Sequence, residues 1–531
     1  MNSQILLDCT LRDGGFVNDW NFGFGSIKSI ISRLDYAGVD IIEVGFIDER
    51  RNYDENRSIF PDTDSIKPIF KNISKPKATI VGMIDYGTCN IEKITKQSES
   101  CLDGIRVIFK KEDQDNAIEY LKKIKDKGYK IFVNPVSITS YTNEEIAILI
   151  EKINRIKPNT VSVVDTYGLM HSKELLEYFE IFNEKLNIDI ILGYHAHNNF
   201  QMAYANSITL MNKNFNRQLC VDSSLFGMGK SAGNVCTELL AMYMNESCGR
   251  DFNIHQIQEA IDVDILKEYE KKTWGYNFEY YISALHDCHP SYVQYLLEKK
   301  TLSVKSINEL LEEIIKNKKL SYDKNLIEKL YNEYQDHFCD DSFAVNSLKN
   351  EIKNKKILLL GPGKSLQDNL IIINNYIEEN NPLVFSINFL NELFPIDYIF
   401  MGNAKRYSQF FHKIYGENTK GKIICTSNIT EAGMKIDYMV NYSTLLAEEP
   451  VIRENPLIMF LNLLKNIGIM DLKIAGFDGY TQNNSKNYYG DYIRLLYCQD
   501  NVILRNEAIK KELINISKYI NISSLTPTKY L

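Results

Sequence analysis

The sequence contains no apolar run near the roughly 20 residues that a membrane-spanning helix needs. Its amino terminus, MNSQILLDCTLRDGG, has no basic segment followed by a long apolar stretch, so we expect no signal peptide. The ten cysteines form no CxxC pair, which argues against a zinc knuckle and is typical of reduced thiols. A net charge of −8 argues against nucleic acid as a partner. Together these absences predict a cytoplasmic protein without a membrane span.

What is present is ample material for folded cores. The chain has 531 residues, of which 44% are hydrophobic and 24% charged, values typical of a globular protein. At roughly 150 residues per domain, this length predicts three or four units, or one barrel with additions.

Short, mostly β-branched apolar runs alternate with amphipathic stretches through the first 235 residues. Eight strands are predicted at 4–9, 40–46, 78–83, 104–109, 129–134, 160–165, 190–195 and 218–222. Strands that alternate with helices indicate parallel βα units, and eight such units favour a closed (β/α)₈ TIM barrel over residues 1–240. An open doubly wound sheet is the alternative.

The pattern changes twice after the predicted barrel. Residues 241–350 are mainly helical in character and predict a helical extension that caps the barrel or forms an interface, for example in a homodimer. Residues 351–531 begin again with a strand, a Gly-rich turn and a helix, and further short strands follow at 383–388, 398–401, 422–425, 438–441 and 472–475. This predicts a C-terminal Rossmann-like α/β domain.

Two histidines end the seventh predicted strand in the segment YHAHNN. Alternate residues of a strand share a face, so His195 and His197 point the same way and could bind one metal ion. The alternative is a pair of ordinary polar residues at a strand end. Active sites of TIM barrels lie at this end of the strands, which favours metal binding.

Further polar residues follow the first and eighth strands. Arg12 and Asp13 come directly after the first strand, where they form either a structural ion pair or, in Asp13, a third metal ligand. One carboxylate and two imidazoles leave open positions for a substrate, which suits an octahedral divalent ion. In SSLFGMGKSAGN, Gly229 lies in a loop whose backbone can approach an anion, and Asn234 either caps a helix or binds the metal.

Five motifs in order, LDCTLRDGG, IIEVGF, VVDTYG, YHAHNNFQMAYANS and DSSLFGMGKSAGN, resemble the metal-dependent aldolase and synthase superfamily. That group includes 4-hydroxy-2-oxovalerate aldolase, 3-hydroxy-3-methylglutaryl-CoA lyase and 2-isopropylmalate synthase. The resemblance covers about residues 4–240 and implies a TIM barrel. It also implies metal ligands and a catalytic arginine, which fall on Asp13, His195, His197, Asn234 and Arg12.

The chemistry implied is that of an aldolase acting on the enolate of a 2-oxo acid such as pyruvate, with an aldehyde as second substrate. The expected ion is Mn²⁺ or Mg²⁺, with Co²⁺ or Zn²⁺ as alternatives. Arg12 would stabilise the enolate. Glu43 and Asp165 are candidates for proton transfer or substrate binding, and the alternative is that they support the metal ligands.

One position departs from the resemblance. The 4-hydroxy-2-oxovalerate aldolases have a base, His, three residues after the aspartate, where this chain has Phe16. The stretch WGYNFEYY with His286 and His289 could supply the base, although such aromatic residues more often pack helices. The resembled superfamily also contains Claisen-type enzymes, so an acyl-CoA-dependent Claisen-type synthase is the alternative function.

The C-terminal segments ILLLGPGKSL, VFSINF, DYIFMGNAKRY and IAGFDGY are similar to nucleotide-sugar-binding domains of bacterial sialyltransferases, over about residues 355–480. The resemblance implies a nucleotide or nucleotide-sugar site, a role in surface-polysaccharide biosynthesis and, as an alternative, a bifunctional protein with glycosyltransferase activity. The residues implied are Gly361, Gly363, Ser365, Asn388 and Asp478. A plain strand–helix turn is the other interpretation of this segment.

Overall fold

Eight parallel strands close into a barrel in the first part of the chain. The computed structural model describes residues 4–71, 75–213, 215–319, 322–410, 421–430, 436–482, 487–493 and 501–531. The strands are β1 Ile5–Asp8, β2 Ile41–Ile47, β3 Ile59–Phe60, β4 Thr79–Asp85, β5 Gly104–Phe109, β6 Lys130–Pro135, β7 Thr160–Asp165, β8 Ile191–Ala196 and β9 Leu219–Ser223. Their order is β1-β9-β8-β7-β6-β5-β4-β2, and β2 pairs back to β1, with the short β3 added to β2. The predicted TIM barrel is confirmed.

Helices follow most strands of this barrel, and the short turn Thr10–Asp13 lies at its mouth. They are Thr10–Asp13, Gly15–Asn18, Phe24–Ala37, Lys67–Phe70, Gln114–Asp126, Asn143–Ile156, Ser172–Lys185, Ala203–Asn212 and Thr237–Ser247. The helix Asn143–Ile156 illustrates the local cause: Thr142 and Glu145 form a capping box. One face of the helix is buried, with Ile146, Leu149, Ile150, Ile153 and Ile156.

The barrel interior is layered because alternate residues of each strand face inward. Leu7, Ile41, Val81, Phe132 and Cys220 belong to one apolar interior cluster. Two positions further along β2 and β9 come Glu43 and Asp222, so the layer closer to the carboxyl ends of the strands is charged.

A buried hydrogen-bond chain joins the end of β1 to the helix Thr237–Ser247. Thr237 Oγ1 lies 2.6 Å from Asp8 Oδ2 and 2.7 Å from Ser223 Oγ, which in turn donates to the carbonyl of Leu7 at 3.1 Å. When Asp8 is protonated, each of these three hydrogen bonds has a donor hydrogen. When Asp8 is ionised, only the hydroxyl hydrogens of Thr237 and Ser223 remain, and one of the three contacts has none. Burial raises the pKa of Asp8 to about 6.

We expect Asp8→Asn to flatten the pH dependence of barrel stability. Because its pKa is raised in the folded state, Asp8 adds to the free energy of unfolding below about pH 4. This contribution, up to about 3 kcal/mol, is lost as the pH rises through 6. Urea unfolding at pH 4–8, with chelator present, can be followed by fluorescence because both tryptophans, Trp20 and Trp274, lie in the first unit. An equal pH slope in wild type and variant would contradict this, and the exposed Asp64→Asn serves as control.

The chain divides into two compact units, Met1–Pro290 and Ser291–Leu531. In the first unit, the barrel is followed by the helices Ile254–Ala260, Leu266–Lys271 and Phe278–Leu285, with a π-helical turn at Ile261–Ile265. The finer predicted division into 1–240, 241–350 and 351–531 stays a prediction.

The second unit contains a seven-stranded parallel sheet. Its strands are β10 Ile357–Leu360, β11 Leu383–Ile387, β12 Tyr398–Met401, β13 Lys422–Thr426, β14 Tyr438–Val440, β15 Asp471–Ala475 and β16 Asn521–Ser524, in the order β14-β13-β12-β11-β10-β15-β16. The strand order reverses direction between β10 and β15, as in a doubly wound sheet. The predicted Rossmann-like domain agrees with this sheet. β16 was not predicted, because its sequence, NISS, is polar and lacks a strand-like apolar alternation.

Helices flank this second sheet. They are Val304–Glu312, Lys316–Lys319, Lys324–Gln335, Ser342–Ile352, Ser365–Asp368, Leu370–Asn380, Ala404–Gln409, Pro456–Ile467 and Val502–Ile516. None of the helices in the described part of the chain combines the length and hydropathy needed to cross a bilayer.

Candidate active site

Asp13, His195 and His197 converge at the carboxyl ends of the barrel strands. Each offers one ligand atom, and these atoms lie within 4.8 Å of one another in a buried cluster. Asp13 ends the single helical turn that follows β1, His195 lies on β8, and His197 follows directly after it. The two imidazole rings stand edge to face with their centroids 5.4 Å apart.

The protonation states of this cluster suit a divalent cation. Burial lowers the pKa of His197 to about 4, so this imidazole is neutral and free to ligate. Burial would raise the pKa of Asp13, but the charge of Arg12 and the hydrogen bond from Asn234 help to hold the carboxyl group well below its usual range. Among the described residues, the buried His197 Nδ1 and Asn234 Oδ1 have no hydrogen-bond partner. Two nitrogens with carboxylate and amide oxygens are a donor set that fits a transition-metal ion or Mg²⁺.

Asn234 belongs to this cluster rather than to a helix cap. Its amide Nδ2 donates to Asp13 Oδ2 at 2.5 Å, while the next helix begins at Thr237 after Cys236. The helix-cap interpretation of Asn234 is therefore wrong. Gly229 leaves the room for this contact, because a Cβ there would lie 2.3 Å from Asn234 Nδ2 and 2.7 Å from Asp13 Oδ2.

Arg12 is held rigidly beside the cluster. Its Nε donates to Glu43 Oε2 and its Nη1 donates to Asp13 Oδ1, both at 2.7 Å, and all three side chains are buried. Within the described residues its Nη2 has no hydrogen-bond partner. That nitrogen is therefore available to an oxygen of a bound molecule.

Two charged residues that sequence reasoning missed, Arg106 and Asp222, connect these groups. Arg106 on β5 donates to Asp222 on β9, and its Nη1 lies 3.4 Å from Glu43 Oε2. Asp222 Oδ2 contacts His195 Nδ1 at 2.9 Å, which leaves Nε2 of His195 free for a metal. The sequence contained a signal for Arg106, because it is the one charged residue in the apolar strand GIRVIF. An arginine in such a strand is expected to face a polar barrel interior.

We expect Asp222→Asn to weaken metal binding by about 10- to 100-fold, because the neutral amide holds the ring and tautomer of His195 less firmly. Isothermal titration with Mn²⁺ measures this. Asp103→Asn at the opposite, amino-terminal side of β5 serves as the control, since the Asp103 carboxylate accepts the backbone amide of Ile80 and contacts none of the candidate ligands among the described residues. Equal Mn²⁺ affinity in wild type and Asp222→Asn would show that Asp222 does not act through His195.

Asp165 contacts the cluster through its backbone carbonyl, which accepts the amide of His197 at 3.2 Å, and not through its carboxylate. Its carboxylate accepts the backbone amides of Leu169 and Met170 at 3.0 and 3.1 Å, so it holds the loop that follows β7. Burial raises the pKa of Asp165 to about 7. The Asp165 side chain, which we expected to point into the barrel mouth, thus accepts hydrogen bonds from the loop that follows its strand.

Phe16 occupies the position where the aldolase base was expected, and its surroundings are aromatic. The ring is 4.9 Å from Trp20 and 6.0 Å from Phe46, and the ammonium of Lys230 lies 5.4 Å from its centroid. Among the residues proposed to replace the base, Trp274 donates to the carbonyl of Phe226 and packs against its ring. This contact is typical of packing.

His289 lies within electrostatic range of Lys230, and burial together with that charge lowers its pKa. A base supplied by His286 or His289 stays a prediction.

The residues predicted for a nucleotide meet only in part. Ser365 donates its backbone amide to Asp478 Oδ2 at 2.8 Å and its hydroxyl to the same carboxylate. Gly363 is equally close, because a Cβ there would lie 2.5 Å from Asp478 Oδ1, and Gly361 packs against the Gly476 carbonyl. Asn388 instead accepts from the amide of Gly402. The Ser365 donors are thus used by the Asp478 carboxylate, and the amides of Gly361 and Gly363 donate to the carbonyls of Ala475 and Gly476.

The fold and this site define a TIM-barrel enzyme with a candidate metal centre. Residues 3–268, half of the chain, match the HMGL-like family, so the chain belongs to that family. It is 25% identical over 244 residues to a 4-hydroxy-2-oxovalerate aldolase of Pelotomaculum thermopropionicum, covering 46% of this chain and 70% of that protein. It is 23% identical over 237 residues to an oxaloacetate decarboxylase of Mycobacterium tuberculosis, covering 44% and 68%.

Among solved structures, an HMG-CoA lyase of Bacillus subtilis is 16% identical, with a TM-score of 0.41 over 52% of this chain and 95% of that one.

Proposed function

We propose that the protein is a divalent-metal-dependent aldolase that makes or cleaves a C–C bond through the enolate of a 2-oxo acid such as pyruvate, with an aldehyde as the second substrate. The observation that carries the proposal is the buried cluster of Asp13, His195 and His197 beside the guanidinium of Arg12. Membership of a family that contains 4-hydroxy-2-oxovalerate aldolases supports it.

The metal would be held by Asp13, His195, His197 and the amide oxygen of Asn234. A divalent ion there supplies Lewis-acid polarisation of the substrate carbonyl. The chain's own contribution is Arg12, whose free Nη2 can donate to the oxygen on which negative charge develops. Because Glu43 and Asp13 already hold the guanidinium plane, this donor needs no reorganisation as the charge forms.

Deuterium exchange tests this proposal without knowledge of the aldehyde. The protein is incubated with pyruvate and Mn²⁺ in deuterated buffer, and loss of the methyl proton signal is followed by NMR with and without chelator. We expect exchange that stops on chelation and falls about 100- to 1000-fold in Arg12→Lys, which keeps the charge but loses the planar fork. Free CoA thiol released from acetyl-CoA and a 2-oxo acid would instead favour the Claisen-type synthase.

Decarboxylation of a 2-oxo acid that carries a 3-carboxylate is a second candidate, favoured by Phe16. Aldol cleavage requires a base to take the proton of the 4-hydroxyl group. In decarboxylation the C3–carboxylate bond breaks, CO₂ leaves and the electron pair remains as the enolate, which then takes a proton from solvent. No such base is needed beside Phe16, and one relative is an oxaloacetate decarboxylase. Pyruvate formed from oxaloacetate above the spontaneous rate, and lost in Arg12→Lys, would support this candidate.

A role in surface-polysaccharide or nucleotide-sugar biosynthesis stays a prediction. It came from the resemblance over residues 355–480, and the family match ends at residue 268. The predicted homodimer likewise stays a prediction.

A further inference from the structure

The second unit buries an arginine that forms no ion pair with an acidic residue in the part of the chain that the structure describes. The Arg406 side chain follows β12 in the helix Ala404–Gln409 and is only 7% exposed. Its Nη1 donates to the carbonyl of Ile493 at 2.5 Å and to Gln409 Oε1 at 2.8 Å, and its Nη2 lies 3.5 Å from the hydroxyl of Tyr488. All three partners are neutral.

A second arginine lies in the same surroundings. The guanidinium of Arg505 stacks over Tyr480 with 5.0 Å to the ring centroid, and its buried Nε has no hydrogen-bond partner among the described residues. Arg406 in turn lies 5.7 Å from the ring centroid of Tyr488. Burial raises the pKa of Tyr488, whereas the charges of both arginines oppose that rise, so both guanidinium groups act on one hydroxyl.

Neither arginine forms an ion pair with a carboxylate among the residues that the structure describes. Keeping a cation out of water is costly unless an anion compensates it. Burial lowers the pKa of Arg406, in agreement with a charge that lacks an acidic partner. Arg406 contacts the Tyr488 hydroxyl, Arg505 stacks over Tyr480, and neither has a carboxylate partner among the described residues. Such cations suit a dianion, and arginine forks match phosphoryl oxygens in particular.

The glycine turn after β10 does not offer an equivalent site. Its Ser365 amide and hydroxyl are already used by Asp478. An anion at that turn would have to displace a carboxylate of the chain, whereas at Arg406 and Arg505 it would replace none.

We propose that Arg406 and Arg505, with the Tyr488 hydroxyl, bind the phosphoryl group of a phosphorylated small molecule in the second unit. This site is independent of the function proposed for the barrel. Nothing in it requires a metal, so its ligand can be studied with chelator present.

Isothermal titration of the full chain with inorganic phosphate and with pyrophosphate, in chelator, tests the proposal. We expect binding in wild type that weakens at least about 10-fold in Arg406→Gln and in Arg505→Gln. Arg453→Gln, at an exposed arginine of the same unit, should bind as wild type does. Because Arg505 is only half-buried, its variant remains informative if Arg406→Gln fails to fold.

Three results would overturn the proposal. These are no binding of either probe to wild type, binding unchanged in Arg505→Gln, and arginine-dependent binding of citrate in place of both phosphate probes. If pyrophosphate binds, the titration is repeated with a nucleoside diphosphate and with a sugar monophosphate. The compound with the higher affinity shows which class of molecule supplies the phosphoryl group.

Discussion

Replacing Asp13 by alanine is expected to abolish metal-dependent exchange of pyruvate protons, with a loss of at least about 1000-fold. Two causes act together. The Asp13 carboxylate is the one anionic group among the candidate ligands. It also accepts a hydrogen bond from Arg12 Nη1 at 2.7 Å, and the variant removes both functions. The metal would then lose its charge-compensating ligand, and Arg12 would lose one of the two contacts that fix its plane.

Titration with Mn²⁺ gives a readout other than activity: we expect binding in wild type and none in Asp13→Ala at the same concentrations. Asp19→Ala, at an exposed aspartate close by in sequence, removes the same charge and should leave both measurements unchanged. Should Asp13→Ala fail to fold, His197→Gln removes a ligand nitrogen while leaving Arg12 paired. Exchange and Mn²⁺ binding that persist in both variants would exclude this cluster as the metal centre.

Replacing Arg106 by methionine is expected to lower the free energy of unfolding of the barrel by about 3–5 kcal/mol. Arg106 is fully buried, and it lies between the carboxylates of Glu43 and Asp222. Its removal leaves two negative charges in a barrel interior with one cation fewer. Urea unfolding followed by tryptophan fluorescence measures the loss.

Two further variants separate the electrostatic cause from a packing defect. Arg33→Met, at a partly exposed arginine whose ion-pair distance to Glu259 is 3.9 Å, should cost less than about 1 kcal/mol. The double variant Arg106→Met with Asp222→Leu should recover stability, since a buried pair replaced by apolar groups is often neutral. The double variant should not recover Mn²⁺ affinity, because the Asp222 carboxylate that contacts His195 Nδ1 is absent. A loss below about 1 kcal/mol in Arg106→Met alone would contradict the expectation.

The sequence by itself determined the barrel and the core of the candidate site. Each of the eight barrel strands was predicted because strand alternation and helical periodicity are local properties, repeated eight times. His195 and His197 share a face by spacing alone. That Asp13 would join them followed from one general property of the fold, in which the carboxyl ends of all strands meet at one mouth.

Only the tertiary structure decided which side chains share a hydrogen bond across that mouth. Asn234 contacts Asp13, Arg106 joins Glu43 to Asp222, and Asp165 turns to its own loop. In the second unit, Asp478 reaches Ser365 across the glycine turn in the same way. The physical reason is that local periodicity specifies the face on which a side chain lies, while barrel closure and strand order set its partner, often more than 100 residues away along the chain.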